Sequence, residues 1–313
     1  MALFTESELA LVRAGDATLL ATLDARGLFP APGEDAAGFA SRLEMLDRNL
    51  TGVEDTLREQ GRYELSGLVL KPEDRIDPVL FTEAGELTDS LFAFRVDWVP
   101  GFYTDPHHAW LFGGCAFFDP DDFLTLFIIR KSFAKSPRWF LYDRRELLAH
   151  ELTHVARNAL RAERFEERFA YQTAKTAFRR SLGSVFRSQS DSFILLASVL
   201  LLVCAQFTQV LFLAWIPVWL FWLGVGGTVG RLAFRHWQTG AEFAAARYRL
   251  RPAFGAHALA VLCRCTDAEV RELADLPPAP AAAWLEARKA SGELRWQVIF
   301  ARFTTEAGDQ PHS

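Results

Sequence analysis

Leu147-Leu148-Ala149-His150-Glu151-Leu152-Thr153-His154-Val155 sets two histidines four residues apart, with a glutamate directly after the first. On an α-helix, residues four apart share a face, so His150 and His154 can point imidazole nitrogens at one metal ion. Glu151 then reaches the water beside that ion. Zinc held in this way polarises a carbonyl and lowers the pKa of water toward ~7, which suits hydrolysis with Glu151 as general base. The helix itself is well signalled. Asp143-Arg144-Arg145-Glu146 reads as a capping box, with Asp143 accepting from the third amide and Glu146 reaching back. Leu152, Thr153 and Val155 are uncharged, as expected of a helix buried behind a metal.

These residues resemble the HExxH zinc metallopeptidases (zincins), and in particular the gluzincins, whose third ligand is a glutamate from a following helix. The metzincin subclass needs a glycine and a third histidine just after the motif. Val155-Ala156-Arg157-Asn158-Ala159-Leu160 has neither, so that subclass is excluded. The resemblance covers residues 138–175, or to 250 on a looser reading. It implies an α+β fold: a zincin-like catalytic domain with a short antiparallel or mixed sheet and the HExxH helix. It also implies a strand beside the motif helix that pairs with the substrate backbone, for which Leu111–Phe118 and Phe123–Arg130 are the candidates.

Two glutamates compete as third ligand. Glu167, in Phe165-Glu166-Glu167-Arg168-Phe169-Ala170-Tyr171, lies 13 residues beyond His154 and fits the E-x-x-A pattern with Ala170. Tyr171 shares its helical face and is a candidate to orient a ligand or stabilise an oxyanion. Glu163 and Glu166 read as a solvated charged face among Arg161, Arg164 and Arg168. Glu242, in Ala241-Glu242-Phe243-Ala244-Ala245-Ala246, lies after the apolar segment described below. Its placement resembles integral-membrane zinc peptidases of the CAAX-protease and heat-shock type, but the family's following Asp falls at Ala246. Glu167 is preferred.

The other decisive stretch runs from Ser192 to Gly230, 39 consecutive residues without Asp, Glu, Lys, Arg or His. A bilayer core takes about 20 apolar residues per helix, so the run suits two crossings, broken at Gln206–Gln209 or at Pro217. Lys175, Arg179, Arg180 and Arg187 precede it, and Arg231, Arg235, Arg247, Arg249 and Arg251 follow it. Positive charge on both flanks places both on the cytoplasmic side, which an even number of crossings satisfies. A hairpin dipping into one leaflet and a buried helical pair are the alternatives. Trp215, Trp219 and Trp222 read as a lipid-facing stripe, and Gly224–Gly230 as small residues packing such helices rather than a nucleotide loop. The N-terminus has early acids and no basic stretch before an apolar core. It is not a signal peptide, so residues 1–190 are expected in the cytoplasm.

The rest of the 313 residues divides into a helical N-terminal region (1–62), the catalytic domain (63–190), the transmembrane hairpin (191–231) and a helical C-terminal region (232–313). Strands are expected at Glu64–Leu70, Pro78–Thr82, Leu91–Trp98, Leu111–Phe118, Phe123–Arg130 and Arg138–Tyr142, with Asp119-Pro120-Asp121-Asp122 as a tight connection. A net charge of −5 argues against a nucleic-acid partner, and four cysteines exclude a disulfide-stapled secreted fold. Residues 172–251 hold nine Lys/Arg against two Asp/Glu, so an acidic body carries a basic membrane collar. His107-His108 read as exposed loop residues, Arg157 as the partner of a carboxylate, and Cys263-Arg264-Cys265 as reduced thiols with the wrong spacing for zinc.

The expected protein is a membrane-anchored zinc endopeptidase acting on a protein or peptide. His150, His154 and Glu167 are its ligands, Glu151 its base and Tyr171 its oxyanion candidate. The rival is a non-catalytic membrane protein in which a structural or vestigial zinc site supports partner binding; a hydrolase of non-peptide amides is a third idea.

Overall fold

Short polar side chains open the helices of the first 60 residues. Thr5 and Glu8 form a reciprocal box at the start of α1 (Glu6–Arg13), Asp16 caps α2 (Ala17–Ala25), and Asp35 caps α3 (Ala36–Gln60). Leu43, Leu46, Leu50, Val53 and Leu57 line the buried face of α3, which stops where Gly61 takes φ 67°. The computed structural model describes residues 3–65, 67–104, 113–119, 124–139, 142–212, 215–277 and 280–304. His107, His108 and the Pro120–Asp122 connection lie outside them.

The chain continues through the hairpin β1 (Tyr63–Leu65) and β2 (Leu68–Leu70), then α4 (Pro78–Phe92), β3 (Gly101–Thr104), β4 (Gly114–Asp119), β5 (Leu124–Arg130), α5 (Ser132–Lys135) and the two-residue pair β6 (Arg138–Trp139) and β7 (Tyr142–Asp143). Next come α6 (Arg144–Arg157), α7 (Glu166–Ala170), α8 (Ala177–Leu182), α9 (Gln189–Phe212), α10 (Val218–Phe254), α11 (Ala258–Leu262), α12 (Asp267–Asp275), α13 (Pro280–Ala290) and α14 (Leu294–Phe303). The protein is therefore mostly helical with small sheets, compatible with an α+β class.

Two expected strands are corrected. Pro78–Thr82 begins α4, because Asp77 caps the Val79 amide, Pro78 occupies the first turn, and Phe81, Ala84, Thr88 and Phe92 bury one helical face. Leu91–Trp98 is no ladder strand. Leu91 and Phe92 end α4, and beyond the left-handed Ala93 the residues Phe94, Val96 and Trp98 do alternate inward, but this segment docks on the core instead, through Arg95 N–H to Ala25 O and Trp98 Nε1–H to Arg26 O. In the three-stranded sheet the order is β3-β5-β4, with β3 parallel and β4 antiparallel to β5. The segment expected at Phe123–Arg130 is thus the central strand. Having neighbours on both sides, it has no edge to offer a peptide; among the described residues β4 is an edge strand.

One hydrophobic core takes in Phe39 of α3, Phe92 of α4, Phe127 of β5, Leu148 of α6, Phe169 of α7, Phe243 of α10, Val261 of α11 and Trp296 of α14. It runs across the sequence boundaries near 62 and 232 without interruption. At its centre Asp24 accepts from the wholly buried Arg264 at 2.9 Å and pairs with Arg302, while both arginines donate to the carbonyls that end α4. Cys263 and Cys265 are buried free thiols on either side of Arg264.

α9 and the first half of α10 stand out from this core, while Phe243, Ala246, Leu250 and Phe254 keep the second half of α10 in it. Ser190–Phe212 is long and apolar enough to cross a membrane, with a mean hydropathy of 2.2 and little of it buried. Phe193, Leu196, Leu200, Phe207 and Phe212 are exposed, as are Trp215, Trp219, Trp222 and Phe234. α9 runs unbroken through Gln206–Gln209, and the interruption falls just before Val218, on the Pro217 side. The two helices meet at their base, where Asp191 pairs with Arg235 and Arg187 donates to Arg235 O and Thr239 Oγ1.

Candidate metal centre

Asp143 opens α6 by accepting from the Glu146 amide at 3.3 Å. Only half of the expected capping box forms. The Glu146 carboxylate turns away to the Arg179 guanidinium and the Lys175 amide, a charged partner outcompeting the Asp143 amide. Leu148, Leu152 and Val155 bury the inner face of α6, which turns His150 and His154 outward together. Their Nε2 atoms are 3.2 Å apart.

After α6 the chain reverses at Arg161, whose φ is 48°. Asp267, at the start of α12, holds this turn by accepting from the amides of Glu163 and Arg164 at 2.7 Å and of Phe165 at 3.3 Å. The short α7 therefore emerges beside α6, and Glu167 arrives 3.6 Å from His150 Nε2 and 3.5 Å from His154 Nε2. One donor atom from each of His150, His154 and Glu167 lies within 4.8 Å of the others. The competing Glu242 is elsewhere: Arg164 holds it with bonds of 2.8 Å.

A tetrahedral zinc ion bonded at about 2.0–2.1 Å needs donors roughly 3.3 Å apart. The two Nε2 atoms stand 3.2 Å apart, and Glu167 brings Oε2 to 3.6 Å from His150 and Oε1 to 3.5 Å from His154, so two imidazoles and a carboxylate with one oxygen turned inward suit that ion. Glu166 completes the arrangement. Its Oε2 accepts from His154 Nδ1 at 3.3 Å, which leaves the lone pair of Nε2 for a ligand, and its Oε1 accepts from Arg157 Nε at 2.7 Å. Arg157 is wholly buried, donates to Cys263 O and lies over the Phe169 ring. The sequence reading paired Arg157 with a carboxylate but set Glu166 aside as solvated. It is instead the residue joining that arginine to His154. A pair of adjacent glutamates at a helix start, with an arginine three residues past the motif, was the available signal.

Burial alone lowers the His154 pKa, but the Glu166 and Glu167 carboxylates outweigh it and push it up to about 10. The same negative field attracts a dication. His150, buried beside His154, is held well below its ordinary value by burial and by its neighbour's charge. Burial raises the Glu151 carboxyl, against the opposing pull of His154 and of the Ala116 amide, which donates to Glu151 Oε2 at 2.9 Å from β4. Tyr171 packs edge-on against His150, with ring centroids 4.7 Å apart, and burial and Glu167 raise its pKa, so it stays a protonated donor. A Cβ on Gly183 would collide with the Tyr171 ring; that glycine is what lets the ring sit there.

His150, Glu151, Glu167 and Tyr171 line an open cleft of about 320 Å³ that also includes Gly113, Gly114, Tyr142 and Arg179. A larger cavity of about 780 Å³ lies between α3 and α4, but its arginines Arg58, Arg75 and Arg95 are already paired with acids. No family model, curated protein or solved structure matches this chain.

Proposed function

We propose that this is a membrane-anchored, zinc-dependent endopeptidase of gluzincin type with Glu151 as general base. The observation that carries the reading is the convergence of His150, His154 and Glu167 beside an open cleft that His150, Glu151 and Glu167 line. Structural zinc sites are closed by four protein ligands, whereas three ligands facing a cleft leave a position for substrate. Zinc held there supplies Lewis acidity toward water and a carbonyl oxygen. Glu151, its pKa raised by burial, takes a proton from the attacking water on its carboxylate and passes it to the departing amine. Tyr171 donates its hydroxyl to the carbonyl oxygen as negative charge develops. The open edge of β4 beside Glu151 suits an extended peptide laid along it, with alternate side chains setting specificity.

α9 supports anchoring in a bilayer. With Asp191 paired to Arg235 at the base, the arm Val218–Phe234 of α10 is about 25 Å long, close to the ~30 Å of a hydrocarbon core. Arg231 sits one turn above the base, where its side chain can snorkel to the interface. This favours a two-crossing hairpin with the metal centre on the cytoplasmic face. The rival reading, a non-catalytic protein with a structural site, draws on one observation: Glu151 already accepts from Ala116 N–H. The deciding test uses the purified chain with and without Glu151→Gln. The proposal expects stoichiometric zinc in both and peptide cleavage falling at least 100-fold in the variant. Cleavage unchanged by Glu151→Gln would refute it.

A further inference from the structure

The junction of α7, the turn at Gly183–Val185 and α10 gathers more positive charge than its acids can balance. Arg164, Arg168, Arg187 and Arg235 meet there, and the neighbouring carboxylates among the described residues are taken: Glu242 by Arg164, Asp191 by Arg235, and Asp267 by the amides of Glu163, Arg164 and Phe165. Among the described residues, Arg168 and Arg187 have no carboxylate partner. Arg168 donates to His236 O at 3.0 Å, and Arg187 to Arg235 O at 3.0 Å and Thr239 Oγ1 at 2.9 Å. Burial first, then Arg235 and Arg164 against the opposing pull of Asp191, pushes Arg187 down to about 10.

The same junction leaves donors unused. Among the described residues, Arg168 Nε, Arg235 Nε and Ser184 Oγ are buried without a hydrogen-bond partner, and Ser184 as a whole is only 4% exposed. Buried donors in a native protein are nearly always satisfied, and a buried charge without a counter-ion is costly. Room has been made for the guanidinium as well: a Cβ on Gly240 would come within 3.2 Å of Arg168 Nη2. Arginine forks plus a hydroxyl are the donor set that recognises a phosphate group. Arg187 also lies just before Ser190, where the apolar helix begins, which is the depth of lipid headgroups.

We propose that this junction is a binding site for a phosphate group, held by Arg168, Arg187 and Ser184 with Arg235 behind them. The group comes from a phospholipid headgroup in the adjoining leaflet or from free phosphate. The site does not depend on the zinc reading, and only the headgroup source depends on the membrane reading.

The test uses the full chain purified in a maltoside detergent and titrated calorimetrically with three probes: inorganic phosphate, dioctanoyl-phosphatidylglycerol and dioctanoylglycerol, which lacks phosphate. Saturable binding of phosphatidylglycerol alone identifies the headgroup as the source. Equal binding of inorganic phosphate identifies the free anion, and this arm reads out even if the chain proves not to enter membranes. Arg168→Gln should weaken binding at least tenfold and Ser184→Ala several-fold, with far-UV circular dichroism unchanged. Should Arg168→Gln fail to fold, Arg168→Lys with Ser184→Ala decides, the first retaining most of the affinity and the second losing it. The site is overturned if neither phosphate probe binds, if dioctanoylglycerol binds equally, or if Ser184→Ala and the Arg168 variants bind like the parent.

Discussion

Glu166→Gln separates a carboxylate that builds the metal centre from one that decorates a surface. Both oxygens of Glu166 accept, one from His154 Nδ1 and the other from Arg157 Nε. Glutamine offers a single acceptor, so its amide N–H must face a donor on one side, and neither orientation serves both. Two losses follow. His154 loses the partner that fixes its tautomer and ring angle, which lowers metal affinity about 10–100-fold, or roughly 1.4–2.7 kcal/mol. Arg157, with no exposed surface, is left without its counter-ion, at about 3–5 kcal/mol of stability. The assays are zinc competition against a chromogenic chelator and thermal unfolding of the metal-free protein. Glu163→Gln, at an exposed position three residues earlier, is the control and should stay within about 0.5 kcal/mol of the parent. Zinc affinity and unfolding temperature in Glu166→Gln both equal to those of Glu163→Gln would refute the reasoning.

Gly183→Ala should push the Tyr171 ring off His150 and lower peptide cleavage at least tenfold, matching Tyr171→Phe, while zinc content stays at the parent value; loss of zinc instead would show the ring to be a packing element for the ligands. Glu269 supplies a pH prediction: burial would raise its pKa, but Arg295 at 2.8 Å and Trp296 hold it below its ordinary value near 4.5. A depressed carboxylate contributes stability above its unfolded pKa and loses it as pH falls through the folded one. Unfolding temperature should therefore drop as pH falls below about 4.5, and Glu269→Gln should be less stable at neutral pH with a shallower acid slope.

Local signals read truly in the sequence. The spacing of His150 and His154 needs only a helix to bring them together, and Asp143 together with the uncharged run after Glu151 supplied one. Leu43 to Leu57 repeat within a single helix, so α3 was equally visible. What escaped depends on partners far along the chain. Glu166 looks solvated until Arg157, sealed by Cys263 O and Phe169, turns out to be its partner. Asp267 shapes the turn that delivers Glu167 from about a hundred residues away, which no local pattern announces. At Pro78–Thr82 two rules conflicted, apolar strand-like composition against an Asp-Pro helix start, and the cap prevailed because Phe81, Ala84 and Thr88 could bury a helical face.

Which glutamate closes the donor set decides whether His150 and His154 belong to the proposed centre. Zinc content of the purified parent, Glu167→Ala and Glu242→Ala, measured by atomic emission after chelator-free preparation, decides it. About one zinc per chain is expected in the parent and in Glu242→Ala, with Glu167→Ala nearly empty. Zinc retained in Glu167→Ala, or lost only in Glu242→Ala, would contradict the proposed centre.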